Sequence, residues 1–167
     1  MNPITPAELA DFPGAPFPAS VVTTAQARLE RVLGWHVSPS KAETIKATGS
    51  RGDDRDRLIL PSRYITAVTE VRDSHGTVVP SWSLTSATEA ILTGCYWNPG
   101  EVYEVDVTHG HVNLPADLLP ELAGMCSDVL RDRTVASESA GPFSVAFRNQ
   151  LLAGSSALRA YSIYSGV

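Results

Sequence analysis

The chain has 167 residues, 43% of them apolar and 19% charged, a globular balance that excludes a disordered or fibrous chain and sets one domain as the expectation. A core can form at this length without metals or disulfides. The formal net charge of −5 argues against nucleic-acid binding by counterion release, and no apolar run approaches the roughly 18 residues that span a bilayer.

The opening MNPITPAELADF has no basic region followed by an apolar stretch, so we expect no secretory signal and synthesis in a cytoplasm. Cys95 and Cys126 are far apart and form no CxxC pair, which predicts two reduced, half-buried thiols rather than a disulfide.

In chain order, Thr5-Pro6-Ala7-Glu8 reads as a capping box with proline at the first helical position. The helix it opens must be short, because Phe12-Pro13-Gly14-Ala15-Pro16 breaks it. Val22, Ala25, Leu29, Val32 and Leu33 then mark one face of a helix from Val21 to Trp35. Thr23 with Gln26 is a candidate cap, and Gly34 stands where the helix should stop.

From about Lys41 the period changes to two. Glu43–Thr48 is β-prone, and Gly49–Arg57 is an exposed, mixed-charge hairpin loop. The Arg51-Gly52-Asp53 triplet in it is better explained by chance than by adhesion. Leu58–Leu60, Tyr64–Arg72 and Val78–Leu84 read as strands, with Pro80 putting the last at an edge and Asp73-Ser74-His75-Gly76 as a turn. Ile91-Leu92, the Asn98-Pro99-Gly100 turn and Val102–Thr108 complete an expected meander. Tyr103, Val105, Val107 and His109 alternate with Val102, Glu104, Asp106 and Thr108, giving one dry and one wet face.

The longest helix should start at Pro115 or at Pro120 and run to about Arg133, with Leu118, Leu122, Met125, Cys126, Val129 and Leu130 as its apolar stripe. Asp117 in the first turn and Arg131 and Arg133 in the last complement the helix dipole. After a linker at 136–142, Phe143–Phe147 alternates like a short strand, and Gln150–Tyr161 reads as a helix weakened by Gly154. The tail keeps apolar bulk through Tyr161, Ile163, Tyr164 and Val167. Termini are usually polar, so this tail is expected to dock on something.

Reactive chemistry is sparse. His109 and His111 form an HxH pair at a strand end, with Asp106 and Asp117 the nearest further donors. Neither completes a metal site at a usual spacing, so no metal is expected. There is no GxSxG elbow, no GxxxxGK[ST] loop and no GxGxxG after a strand. Asp53-Asp54 lies in a polar loop without the apolar pocket that separates the pKa values of a catalytic pair. Trp82, Tyr96 and Trp97 read as core and edge packing rather than a stacking platform, because no basic patch surrounds them. We therefore assign no catalytic residue and no cofactor.

The order of these features carries a resemblance. Leu58-Ile59-Leu60-Pro61 leads into Val68 and Val71. Trp97-Asn98-Pro99-Gly100, Val105-Asp106-Val107-Thr108-His109-Gly110 and Pro115-Ala116-Asp117-Leu118 then follow. The chain resembles the head-to-tail adaptor (connector) family of long-tailed bacteriophages. The likeness covers most of residues 5–164 and is specific from about Leu58 to Leu118. His111, where the family often carries an aromatic residue, and Pro120, inside the expected helix, depart from the pattern.

The resemblance implies an α+β fold: a small helical bundle core with an inserted antiparallel β-sheet region. Within one domain it implies N-terminal helices at 1–37, the β region at 41–112, the long helix at 114–134 and a C-terminal docking segment at 141–167. It also implies a non-enzymatic subunit of the virion neck, synthesised in the host cytoplasm, that forms a ring of twelve under the portal protein. That ring would receive a stopper or tail-completion protein and let viral DNA pass through its lumen without sequence-specific binding, with no membrane partner. Phe143, Val145, Phe147, Tyr161, Ile163, Tyr164 and Val167 are the candidate interface residues. The alternatives are a tail-completion or minor tail protein, or a small metal- or ligand-binding module.

Overall fold

Proline and glycine set the ends of the first long helix. Pro18 is extended at the N-cap and Gly34 is left-handed at the C-cap (φ 86°), and helix α1 runs between them over Ala19–Leu33. The expected start at Val21 is two residues late. Thr23 is therefore not the cap: its hydroxyl donates to Ala19 O inside the helix at 3.0 Å. Gln26 instead donates to Ser38 O at 2.5 Å. Before α1, Pro6–Leu9 makes a single 3-10 turn, with the Thr5 N–H and hydroxyl both donating to the Glu8 carboxylate.

The computed structural model describes residues 4–50, 55–86, 88–134 and 155–163. Among them the chain divides into two units, 1–39 with 113–167 and 40–112.

In the first unit, Pro115 caps a 3-10 turn over Ala116–Leu118 and helix α2 follows over Leu119–Thr134. The helix begins one residue before the second of the two expected starts, and the residues before it form a separate turn. Pro120 sits in the first helical turn, a position that tolerates proline because its missing N–H would have no intrahelical partner there. A short helix α3, Ser156–Tyr161, is capped by the Ser155 hydroxyl, which accepts from Leu158 N–H at 3.1 Å. The core joins Val21, Val22, Ala25, Leu29 and Leu33 of α1 to Leu118, Leu122, Cys126 and Val129, with Leu158 of α3 fully buried among them.

This corrects the expected helical bundle. A bundle needs several long amphipathic helices enclosing one core. Among the described residues only α1 and α2 exceed ten residues, and they form a pair closed by a short third helix. The protein is a mixed α and β structure in which two sheets hold an apolar core of their own.

Among the described residues the second unit holds six strands: β1 (Lys41–Thr48), β2 (Leu58–Ile59), β3 (Ile65–Arg72), β4 (Ser83–Ser86), β5 (Ile91–Thr93) and β6 (Val102–His109). They pair as two three-stranded antiparallel sheets, β1-β6-β3 and β2-β5-β4. The meander is therefore corrected. The last strand enters the middle of the first sheet, and Val78 makes only an isolated bridge to Arg72. The β1–β6 ladder keeps its register from Lys41↔His109 to Thr48↔Val102, whereas β3 shifts twice against β6. Ala47, Leu58, Leu60, Leu92, Trp97, Tyr103, Val105 and Val107 fill one core with side chains from both sheets.

Candidate functional site

The end of β6 is where the sequence placed its only chemistry. Alternation predicts that Tyr103, Val105, Val107 and His109 face inward, and all four are buried, His109 to 2% exposure. A buried imidazole needs partners for its ring nitrogens. Nδ1 lies 2.5 Å from the Ser62 hydroxyl, and Nε2 lies 2.7 Å from Glu43 Oε1. Ser62, itself buried, lies on the connection from β2 to β3 and also donates to Arg63 O at 3.2 Å. Glu43 stands two residues along β1 from Lys41, the register partner of His109, and pairs with Lys41 Nζ at 2.9 Å.

Burial raises the Glu43 carboxyl, but hydrogen bonds from Lys41 and His109 outweigh it and hold the group below its ordinary range. The carboxylate form is thus the one present beside His109.

His111 goes elsewhere. Its ring stacks on Tyr64 with centroids 3.9 Å apart and 20° between planes. Tyr64 holds a positive φ of 54°, an uncommon and costly backbone state for a bulky residue, and its carbonyl accepts from Gly110 N–H at 3.1 Å. Asp106 points to the other face of the sheet, accepting from Thr44 Oγ1 at 2.5 Å and pairing with Arg72 Nη2 at 3.0 Å. Arg72 also pairs with Glu70. Asp117 is in the first unit, where it accepts from the Tyr161 hydroxyl at 3.3 Å. Within the second unit His109, His111 and Asp106 thus make separate contacts, and no cluster of three possible metal ligands occurs among the described residues.

The aromatic residues part company too. Trp97 is fully buried and packs edge-on against Tyr103 with centroids 5.0 Å apart, and its indole N–H has no partner among the described residues. Trp82 packs against the same core. Tyr96 is exposed and accepts from Arg55 Nη1 at 2.9 Å. Both thiols are free. Burial pushes Cys126 up to about 11 and raises Cys95 as well.

Of the candidate interface residues, Tyr161 and Ile163 are described, and both are partly buried against the helical core. Trp35 Nε1 donates to Tyr161 O at 2.6 Å, and Ile163 N–H donates to Leu33 O at 3.0 Å. The Ser155 hydroxyl donates to Glu121 Oε1 at 2.7 Å. Residues just beyond α1 and in α2 thus clamp α3 at both ends. The sequence reading missed Trp35 in this role; an indole immediately after the helix-ending Gly34 was its one local signal. Phe143, Val145, Phe147, Tyr164 and Val167 lie outside the described residues.

No protein-family model and no curated protein matches the chain. Solved structures do. A chain of the neck of the native GTA (gene transfer agent) particle, computed with C12 symmetry, superposes with a TM-score of 0.55 at 22% identity, over 78% of this chain and 79% of that one. A chain of the neck of the empty GTA particle, computed with C6 symmetry, gives 0.59 at 21% over 88% of both. A chain of the virion of the native gene transfer agent particle gives 0.56 at 23%, also over 88% of both. At these identities the likeness establishes a shared fold.

Proposed function

We propose that this chain is a structural subunit of the neck of a phage-like particle, a head-to-tail adaptor that forms a ring beneath the portal protein. The likeness to gene transfer agent neck chains over most of both chains carries this reading. The order of motifs from Leu58 to Leu118 supports it independently. The ring of twelve is the expectation that the C12 symmetry of one such neck favours.

A closed ring needs heterologous contacts, in which two different surfaces of one subunit meet. Each stable contact should bury on the order of 1,200–2,000 Å². The C-terminal segment 141–167 is the part we assign to docking. Its described stretch is held on the first unit by Trp35 and Leu33, so docking would use the apolar residues flanking α3: Phe143, Val145 and Phe147 before it, Tyr164 and Val167 after it. The net charge of −5 suits a subunit around a channel through which DNA must slide without adhering. The stopper or tail-completion protein would bind the ring on its tail side.

The test is assembly. Deleting residues 164–167 spares the Ile163–Leu33 bond and should lower the yield of tailed, infectious particles. Normal yield would remove the docking role of the tail. Labelling that puts the chain at the tail tip would replace the adaptor reading with that of a minor tail protein.

A further inference from the structure

We propose that Ser62, His109 and Glu43 form a proton-dependent clasp, in which a doubly protonated His109 ties β1 and the β2–β3 connection onto the central strand β6. The inference concerns this chain's own fold and does not rest on the adaptor reading.

The argument is a count of hydrogens. Three of the contacts at this site are His109 Nδ1 to Ser62 Oγ, His109 Nε2 to Glu43 Oε1, and Ser62 Oγ to Arg63 O. Ser62 has one hydroxyl hydrogen and a neutral imidazole has one N–H. With Glu43 ionised, a neutral ring gives its single hydrogen to the carboxylate. The Ser62 hydrogen must then choose between Nδ1 and the Arg63 carbonyl, and one of the three contacts is left without a hydrogen. An imidazolium supplies two. Nε2–H then donates to Glu43, Nδ1–H donates to Ser62 Oγ, and the Ser62 hydroxyl is free to donate to Arg63 O. All three contacts are made at once, and the buried cation has its counter-charge within 2.7 Å.

The surroundings are consistent with that state. The charged side chains of β1 on this side are Glu43 and Lys41, and Lys41 is itself paired with Glu43. The β2–β3 connection brings Ser62, Arg63 and Tyr64, and β3 sets apolar Ile65 opposite His109. The charges of β3, Glu70 and Arg72, lie at its far end opposite Asp106 and Glu104. Beyond β6, His111 is stacked on Tyr64.

The sign follows. A histidine that holds its proton on folding contributes stability that is complete below the ordinary histidine range, near pH 6.5, and is lost as pH rises through its folded value. Glu43, held below its ordinary value, contributes stability that is complete above that value and is lost in acid. The clasp is whole between the two limits.

The experiment is histidine-nitrogen NMR on the full chain, with His109 assigned by its absence in His109→Gln or, if that variant does not fold, by its contact to Ser62. At pH 7 both ring nitrogens should carry protons. Ser62→Ala keeps the ring and the carboxylate but removes the Nδ1–H acceptor. It should move loss of the second proton to lower pH by about one unit, the equivalent of one hydrogen bond to a charged group. A single neutral tautomer at pH 7 in the unmodified chain would overturn the proposal, whatever the variants do. So would an unchanged titration in Ser62→Ala.

Discussion

Gly49 ends β1 against the turn that leads into β6. Its N–H donates to Glu101 O and its carbonyl accepts from Gly100 N–H, both at 2.9 Å. A Cβ added here would lie 2.1 Å from Asn98 O and 3.0 Å from Asn98 C. Both are backbone atoms, so no rotamer change relieves the clash and the turn must move. Overpacking of this kind costs about 1–3 kcal/mol, and each backbone bond lost as the turn shifts adds about 1 kcal/mol. Gly49→Ala should therefore destabilise by about 2–5 kcal/mol, a large share of the roughly 5–15 kcal/mol that holds a domain together. Gly124 on α2 is the contrast. A Cβ there meets nothing within 4 Å, and Gly124→Ala in a helix interior should stabilise by about 0.5–1 kcal/mol. Urea unfolding followed by circular dichroism measures both. With a slope of about 1–3 kcal/mol/M, the Gly49→Ala midpoint should fall by at least about 0.7 M while that of Gly124→Ala rises. A Gly49→Ala midpoint within 0.2 M or so of the unmodified chain would refute the close packing of β1 on the Asn98 turn.

Trp35→Phe replaces the buried indole with a smaller phenyl ring and removes the bond to Tyr161 O; the lost bond should cost about 0.5–1.5 kcal/mol and the lost volume adds to it, so amide exchange over 156–163 should accelerate at least several-fold, while exchange in β6 stays as it was. The Glu101 carboxylate accepts from Asn98 and Ser74 side chains and from the Tyr103 hydroxyl. Those hydrogen bonds, Asn98 first, hold it at about 2 against an ordinary 4.5. Its contribution to the turn is thus complete above pH 4.5 and is lost as pH falls toward 2, so the Asn98 side-chain amide signal should hold steady at pH 4 and shift only below about 3. Cys126, buried and raised to about 11, should resist alkylation at pH 8 until the chain unfolds. Half-exposed Cys95 should react first, though more slowly than a free thiol.

Local pattern made the faces of these elements legible, and neighbours in space escaped it. Every residue of the α1 stripe read at helical spacing, Val22, Ala25, Leu29, Val32 and Leu33, is buried. The same is true of Tyr103, Val105, Val107 and His109 on β6. A period of two fixes which side of a strand is dry and says nothing about its partners, since pairing depends on residues sixty positions apart. For that reason a single meander was expected where β6 enters between β1 and β3. The helical bundle, which the resemblance implied, failed because one other long helix and the short α3 were enough to cover the apolar stripe of α1.

At the candidate site, His109 was legible as an inward-facing residue next to a polar loop. Its partners were not, because Ser62 and Glu43 lie 47 and 66 residues away and carry no motif that links them to it. The HxH spacing suggested a shared face. Instead Gly110, with a left-handed φ of 88°, turns the chain after β6, so His111 stacks on Tyr64 and the pair is separated. Pro115 and Pro120 left two helix starts open, because either proline can occupy a first turn; the 3-10 turn over Ala116–Leu118 puts Pro120 in the first turn of α2.

The central claim is a ring at the neck, and the mass of the complex with DNA-filled, portal-bearing heads tests it most directly. Light scattering of the purified 17.8 kDa chain, alone and then mixed with such heads, should give saturable binding at the stoichiometry of one ring, twelve copies per portal. A chain that binds no heads as monomer or as oligomer would contradict the account.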